Sequence, residues 1–393
     1  MDRSRAWTLA VFIFIFGDAA AMQARGPILS SVGTVFNISE AALGLVAPAG
    51  TVGFLGAVVV TGLFAGRLQM RRMLAVGTTL TGIALVLAAV SPLYVVFLTA
   101  LVLQGTAAGV FRGLDRVVLS HLYPDNRGKM YAAYTLVWAF GAVLSPQLVS
   151  LVLSVSDWRM VFLVLTCVFL PVIVIVGRYE LPSMDAERSV SRAELSALLK
   201  RPAVVGACVG MVLVGALEGT LFTWLVYYSQ TFYDTAIANL LLSVYLLAYI
   251  PGRLGCTVAV DYVSYLTILL VVYLPAAPAL AIAFSGVTGP LLFAAIFVAG
   301  FAVSSGFPVL SGYAVEAAPE YSGPLNAVTN GATYVGLATA PAVVGVLAES
   351  VGIRQALWST VPVSIVFIIT IGGLWLWTGS ADPPTHQRMA DSQ

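Results

Sequence analysis

The sequence predicts an all-α membrane protein with twelve transmembrane helices in two six-helix bundles. Three observations lead there. Of 393 residues, 60% are hydrophobic and only 9% charged, against roughly 25% charged in a soluble domain. The apolar residues fall into long runs separated by short polar loops. A pattern of glycine, proline and arginine in the first half returns in the second.

The composition settles the solvent first. A water-soluble fold must still present a polar exterior, and this chain has too little polar surface to do so. Net charge is +1, which gives no basic footprint for nucleic acid. Cys167, Cys208 and Cys256 lie inside apolar stretches without metal-ligand or disulfide spacing. Two isolated histidines, His121 and His386, do not make a zinc site. No metal and no cofactor is expected, and no nucleophile–base pair or phosphate loop suggests an enzyme or an ATP-driven pump.

A spanning helix needs about 20 mostly apolar residues. Runs of that kind cover residues 7–35, 41–66, 73–91, 94–120, 129–153, 159–177, 202–229, 235–260, 263–284, 290–315, 323–348 and 355–378. The first follows Met1-Asp-Arg-Ser-Arg-Ala-Trp7 without a small-residue cleavage site, so it is read as a membrane helix and not a removable signal. With the N-terminus inside, the inner segments hold Arg3, Arg5, Arg67, Arg71, Arg72, Arg127, Lys129, Arg178, Arg188, Arg192, Lys200, Arg201 and Arg388. The outer loops hold only Arg159 and Arg354. That asymmetry places both termini in the cytoplasm and the protein in the cytoplasmic (inner) membrane.

The polar stretch 178–201 divides the spans six and six, giving bundles over 1–177 and 202–378 and a cytoplasmic tail over 379–393. Within it, Ser191-Arg-Ala-Glu194 is a capping box ahead of leucines at helical spacing, which predicts a short amphipathic helix tethering the halves. The halves themselves correspond. Pro124, Gly128, Gly141, Pro146 and Arg159 each meet the same residue 195 positions later, at Pro319, Gly323, Gly336, Pro341 and Arg354. Gly53-Phe-Leu-Gly56 is echoed by Gly252-Arg-Leu-Gly255. Repeated bundles of this kind hold a solute near the membrane midplane and rock to expose it to either side.

Particular motifs then resemble a known family. His121-Leu-Tyr-Pro-Asp-Asn-Arg-Gly-Lys, Gly141-x-x-x-Ser145-Pro146 and Trp158-Arg159-x-x-Phe162, with Glu316-Ala-Ala-Pro-Glu and Gly336-x-x-x-Ala-Pro341, resemble the major facilitator superfamily (MFS) over essentially the whole chain. The resemblance implies the MFS fold and secondary transport. The family's helix 2–3 motif, Gly-x-x-x-Asp-Arg-x-Gly, stands here as Gly62-Leu-Phe-Ala-Gly66-Arg67-Leu-Gln69, without its Asp. The helix 4 motif of proton-coupled members, Arg-x-x-Gln-Gly, stands as Leu101-Val-Leu-Gln104-Gly105, without its Arg.

Ionisable residues inside spans are costly, by at least ~2.5 kcal/mol, and mark function or pairing. Asp18 lies midway along the first span. A carboxyl there is cheap to hold when protonated and costly when charged, so Asp18 is read as the proton-coupling site. Gln23 and Arg25 extend the same polar stripe towards substrate. Arg112, Asp115 and Arg116 share a face of the fourth span; Arg112, the deeper, is read as substrate-binding, and Asp115 and Arg116 with Arg67 as an inner gate. Arg253 follows Tyr249. It is read as a substrate contact, as the resemblance to monocarboxylate-type carriers implies, or as a gate partner of Asp261. Glu218 is a second proton-coupling candidate that could also bind a cation or hydrogen-bond a sugar, with Trp224, Tyr227, Tyr228 and Tyr249 read as substrate-binding. Asn326, Asn330 and Tyr334 recur every four residues, and with Trp138 complete the candidate cavity lining.

These residues predict a monomeric, proton-coupled carrier of a small organic solute. The intramembrane arginines lean towards an anion, because guanidinium takes carboxylates in bidentate fashion. Proton-coupled sugar uptake, efflux of hydrophobic compounds, and a receptor that has lost transport are the alternatives.

Overall fold

The computed structural model describes residues 2–64, 69–181, 200–317 and 321–378. Arg67, the capping-box segment and the C-terminal tail lie outside them. Twelve of the described helical stretches are long and apolar enough to cross a membrane, in the order the sequence predicts, and no strand occurs among the described residues. The protein is an integral membrane protein.

The helices are α1 (Arg3–Gln23), α2 (Leu29–Phe36), α3 (Glu40–Leu43), α4 (Val46–Phe64), α5 (Met70–Ala89), α6 (Tyr94–Arg112), α7 (Asp115–Leu122), α8 (Arg127–Leu153), α9 (Trp158–Arg178) and α10 (Pro202–Ser229). There follow α11 (Thr235–Leu247), α12 (Tyr249–Ala259), α13 (Tyr265–Tyr273), α14 (Ala276–Phe284), α15 (Pro290–Glu316), α16 (Ser322–Val351), α17 (Ile353–Leu357) and α18 (Thr360–Thr378).

Several predicted spans are thus broken. Five of the breaks have one cause. Proline has no N–H to give the carbonyl four residues before it, and its ring crowds that carbonyl. Pro27, Pro48, Pro251, Pro278 and Pro362 leave the carbonyls of Gln23, Gly44, Leu247, Leu274 and Trp358 without that bond. The helices α1, α3, α11, α13 and α17 each end at that residue or the one before. The break between α6 and α7, at Gly113–Leu114, has no proline behind it. Pro146, Pro171, Pro308 and Pro341 sit inside uninterrupted helices.

The described residues cluster into two compact units, Met1–Ser189 with Leu225–Ser243, and Val190–Trp224 with Val244–Gln393. In the first, α1 packs on α8 and α9, α4 on α6, and α5 on α6 and α9. In the second, α15 packs on α12, α13 and α14, and α18 on α13 and α14. The repeated glycines have matching jobs. A Cβ on Gly141 of α8 would strike the backbone carbonyl of Phe16 in α1, and one on Gly336 of α16 would strike that of Val212 in α10. Each position admits only hydrogen at a helix crossing.

The outer surface is apolar where helices face away from their unit. On α8, Leu136, Phe140, Leu144 and Leu151 are exposed at helical spacing, and Val155, Leu376 and Trp377 are each at least 74% exposed. Such side chains belong against lipid tails.

Candidate functional site

Among the described residues, each unit holds a buried cluster of ionisable groups. In the first, Arg112 ends α6 and Asp115 begins α7, on either side of the break at Gly113–Leu114. Arg112 Nη1 donates to Asp18 Oδ2 at 2.7 Å, and its Nε lies 3.5 Å from Asp115 Oδ2. The Arg112 and Asp18 side chains are 12% and 11% exposed, and Asp115 is fully buried. Tyr134 of α8 donates to Asp115 Oδ2 at 2.6 Å. The Arg112 and Arg116 guanidiniums stand 5.6 and 5.4 Å from the Tyr134 ring centre, and Phe54 lies 5.7 Å from Arg112. Two carboxylates and two guanidiniums cancel, which is how this much charge can sit inside a span.

Arg25 is placed differently. It lies in the Ala24–Ile28 break that Pro27 imposes, and Nη2 donates to Gln104 Oε1 of α6. The side chain reaches that amide because position 50 is glycine: a Cβ there would fall on the guanidinium, and one on Gly105 would strike the carbonyl of Gly50. The helix 4 motif that lacks its own arginine thus receives one from the first span. No carboxylate lies within ion-pair distance of Arg25 among the described residues, and Arg25 Nε has no hydrogen-bond partner. Gln23, wholly buried at the end of α1, has neither amide atom partnered.

In the second unit Glu218 of α10 is buried and accepts from the Tyr249 hydroxyl at 3.0 Å, which lies 3.1 Å from that of Tyr245. Phe222 stands 6.0 and 6.1 Å from those two rings. The Arg253 guanidinium sits 5.2 Å over Tyr249. Asp261 is exposed and makes no ion pair among the described residues.

The other predicted residues scatter. Trp224 is buried and donates to the Pro341 carbonyl at 2.9 Å. Tyr227 donates to Glu40 at 3.0 Å, and Tyr228 packs edge-on against Phe232. Asn330 spends its amide on the Asn326 carbonyl one turn back, at 2.6 Å. Asn326, Tyr334 and Trp138 are half-buried. Sequence reading did not single out Tyr134 or Glu40, whose partners are 19 and 187 residues away. It also missed the polar ties that seat Leu225–Ser243 on its own unit. Gln230 bonds Ser30, Asn239 donates to Ser150 at 2.8 Å, and Ser243 accepts from Gln147 at 3.2 Å.

The model of the Major Facilitator Superfamily matches residues 9–236 and 208–391. A drug efflux pump of Mycobacterium tuberculosis, JefA, is 28% identical over 164 residues, 41% of this chain and 32% of that protein; the chain therefore matches about a third of that relative's length. The crystal structure of the nucleoside transporter NupG superposes with a TM-score of 0.77 at 15% identity, covering 95% of this chain and 99% of that one. That of a D-xylose-proton symporter does so at 0.79 and 16%, covering 95% and 98%. At such identities the likeness is one of fold.

Proposed function

The chain belongs to the major facilitator superfamily, and on that footing we propose that it is a proton-coupled secondary transporter of a small organic anion, working by alternating access in the cytoplasmic membrane. The observation that carries the proposal is the 2.7 Å pair between Asp18 and Arg112. It ties α1 to the end of α6 beside a helix break. A proton on Asp18 removes the charge that draws Arg112 to α1, while the contact with Asp115 remains. Loading the proton frees α1 from α6, and unloading restores the tie. A two-state element biased by a single charge is what coupling requires.

The test uses purified protein in liposomes with a trapped pH dye, given pools of carboxylates, sugars and amphiphilic cations. Carboxylate-driven proton flux that Asp18→Asn abolishes is the expected result. Flux unchanged by Asp18→Asn would remove Asp18 from the mechanism.

A second reading, export of amphiphilic cations, has Glu218 among Phe222, Tyr245 and Tyr249 in its favour, since a buried acid ringed by aromatics suits a cation. The partial similarity to a drug efflux pump points the same way. In the same assay it requires proton flux driven by cations and lost in Glu218→Gln.

A further inference from the structure

We infer that Arg25 is the group that receives the solute's carboxylate, with Gln23 and Gln104 completing the subsite. The inference rests on the carrier reading above and names its solute class as monocarboxylates.

Three arginines inside spans compete for this role, and their surroundings separate them. Arg112 holds Asp18 and Asp115 and sits against two aromatic rings. Arg253 stacks on Tyr249. Arg25 is 9% exposed, and its side-chain hydrogen bond goes to a neutral amide. A buried guanidinium carries a desolvation penalty of several kcal/mol unless it is paired. No carboxylate of the described residues lies within ion-pair distance of it. The guanidinium has five donors in a planar fork suited to a carboxylate, and its Nε is unused.

The surroundings are built for the same purpose. Gly50 leaves the space in which the guanidinium lies, Gly105 lets the Gly50 backbone come close, and Gln104 fixes one edge of the guanidinium. Gln23, two residues before Arg25, brings a buried amide with an unspent donor and an unspent acceptor. Buried polar groups are normally satisfied, and unsatisfied ones at a functional site await a partner. A carboxylate on Arg25 neutralises a buried cation that has no ion-pair partner among the described residues.

The experiment measures how benzoate and lactate, and their neutral amides, raise the thermal unfolding midpoint of the purified full chain. Titrations give the apparent Kd for wild type, R25Q, R25K and G50A. Carboxylates are expected to stabilise wild type and the amides not. R25Q should weaken carboxylate binding at least tenfold. R25K, which keeps the charge but not the fork, should fall between. G50A should match R25Q, because its methyl occupies the guanidinium's place; R25K and G50A carry the test if R25Q does not fold. Stabilisation by neither acid, equal stabilisation by the amides, or carboxylate binding that survives both R25Q and G50A would overturn the inference. Carboxylate-driven proton flux in the liposome assay that persists in R25Q and G50A would overturn the subsite while leaving the carrier reading standing; flux driven by sugars or cations alone would overturn both.

Discussion

Replacing Asp18 by Asn removes one half of a buried ion pair and leaves the other in place. Breaking such a pair from one side costs about 3–5 kcal/mol, because the remaining charge stays desolvated. The side chains here are 12% and 11% exposed, so solvent screens them little. Asp115, 3.5 Å from Arg112, still offsets part of the loss, which places the expected cost near the lower end, at about 3 kcal/mol. That is roughly a hundredfold in the folded-to-unfolded ratio. The assay is reversible unfolding in mixed micelles by titration with dodecyl sulfate, run on wild type, D18N, R112Q and the double variant. If the pair is as described, the double variant is less destabilised than the two single losses added together, by roughly 1–3 kcal/mol. A coupling energy under about 0.5 kcal/mol would mean that the two charges do not hold one another, and the reasoning from the pair to proton coupling would fail with it.

Valine at Gly141 or Gly336 meets a neighbouring helix's carbonyl in both units; both variants should lose at least ~1–3 kcal/mol and most of their folded yield, measured by fluorescence-detected size exclusion. Tyr249→Phe removes the donor to Glu218. The loss should be about 1.5–3 kcal/mol where Glu218 is charged and about 1 kcal/mol where it is neutral, so unfolding at pH 5 and pH 8 reads its state. Cysteines placed at Ser30 and Gln230, which bond one another across 200 residues, should cross-link in a background lacking Cys167, Cys208 and Cys256. The cross-link should stop transport until reduced; transport at the wild-type rate in the linked protein would show that this tie need not open.

The twelve spans were legible because hydropathy and length report the bilayer directly, and the order found is the order read. The 195-residue repeat was legible for a related reason: Gly141 and Gly336 mark helix crossings that no larger residue tolerates. The breaks were harder to read. Pro27 and Pro251 end their helices, whereas Pro146 and Pro341 do not, and the residue itself is the same in both cases. The site was legible as a set of residues and not as a set of pairs. Asp18, Arg25, Arg112 and Glu218 stood out because each is a charge within an apolar run. That Arg112 answers Asp18 across 94 residues, that Tyr134 caps Asp115 and that Gln104 takes Arg25 are long-range facts. Glu40 and Gln230 sit at span ends, where polar residues are unremarkable in composition, and nothing in the sequence marked them.

Leu225–Ser243 belongs by sequence to the second half and by packing to the first unit, and this has a consequence for how the protein is made. Chains emerge from the ribosome at about 5–20 residues per second. Glu40 precedes its partner Tyr227 by 187 residues, and Ser150 precedes Asn239 by 89. During synthesis Glu40 therefore waits roughly 10–40 s for its tyrosine, and Ser150 roughly 5–20 s for its amide. Over that interval the first six spans are inserted with these polar groups still seeking partners, which the insertion machinery or interfacial water must supply. A ribosome that stalls between residues 178 and 225 would leave a first bundle lacking its last polar contacts, and quality-control proteases would meet it in that state.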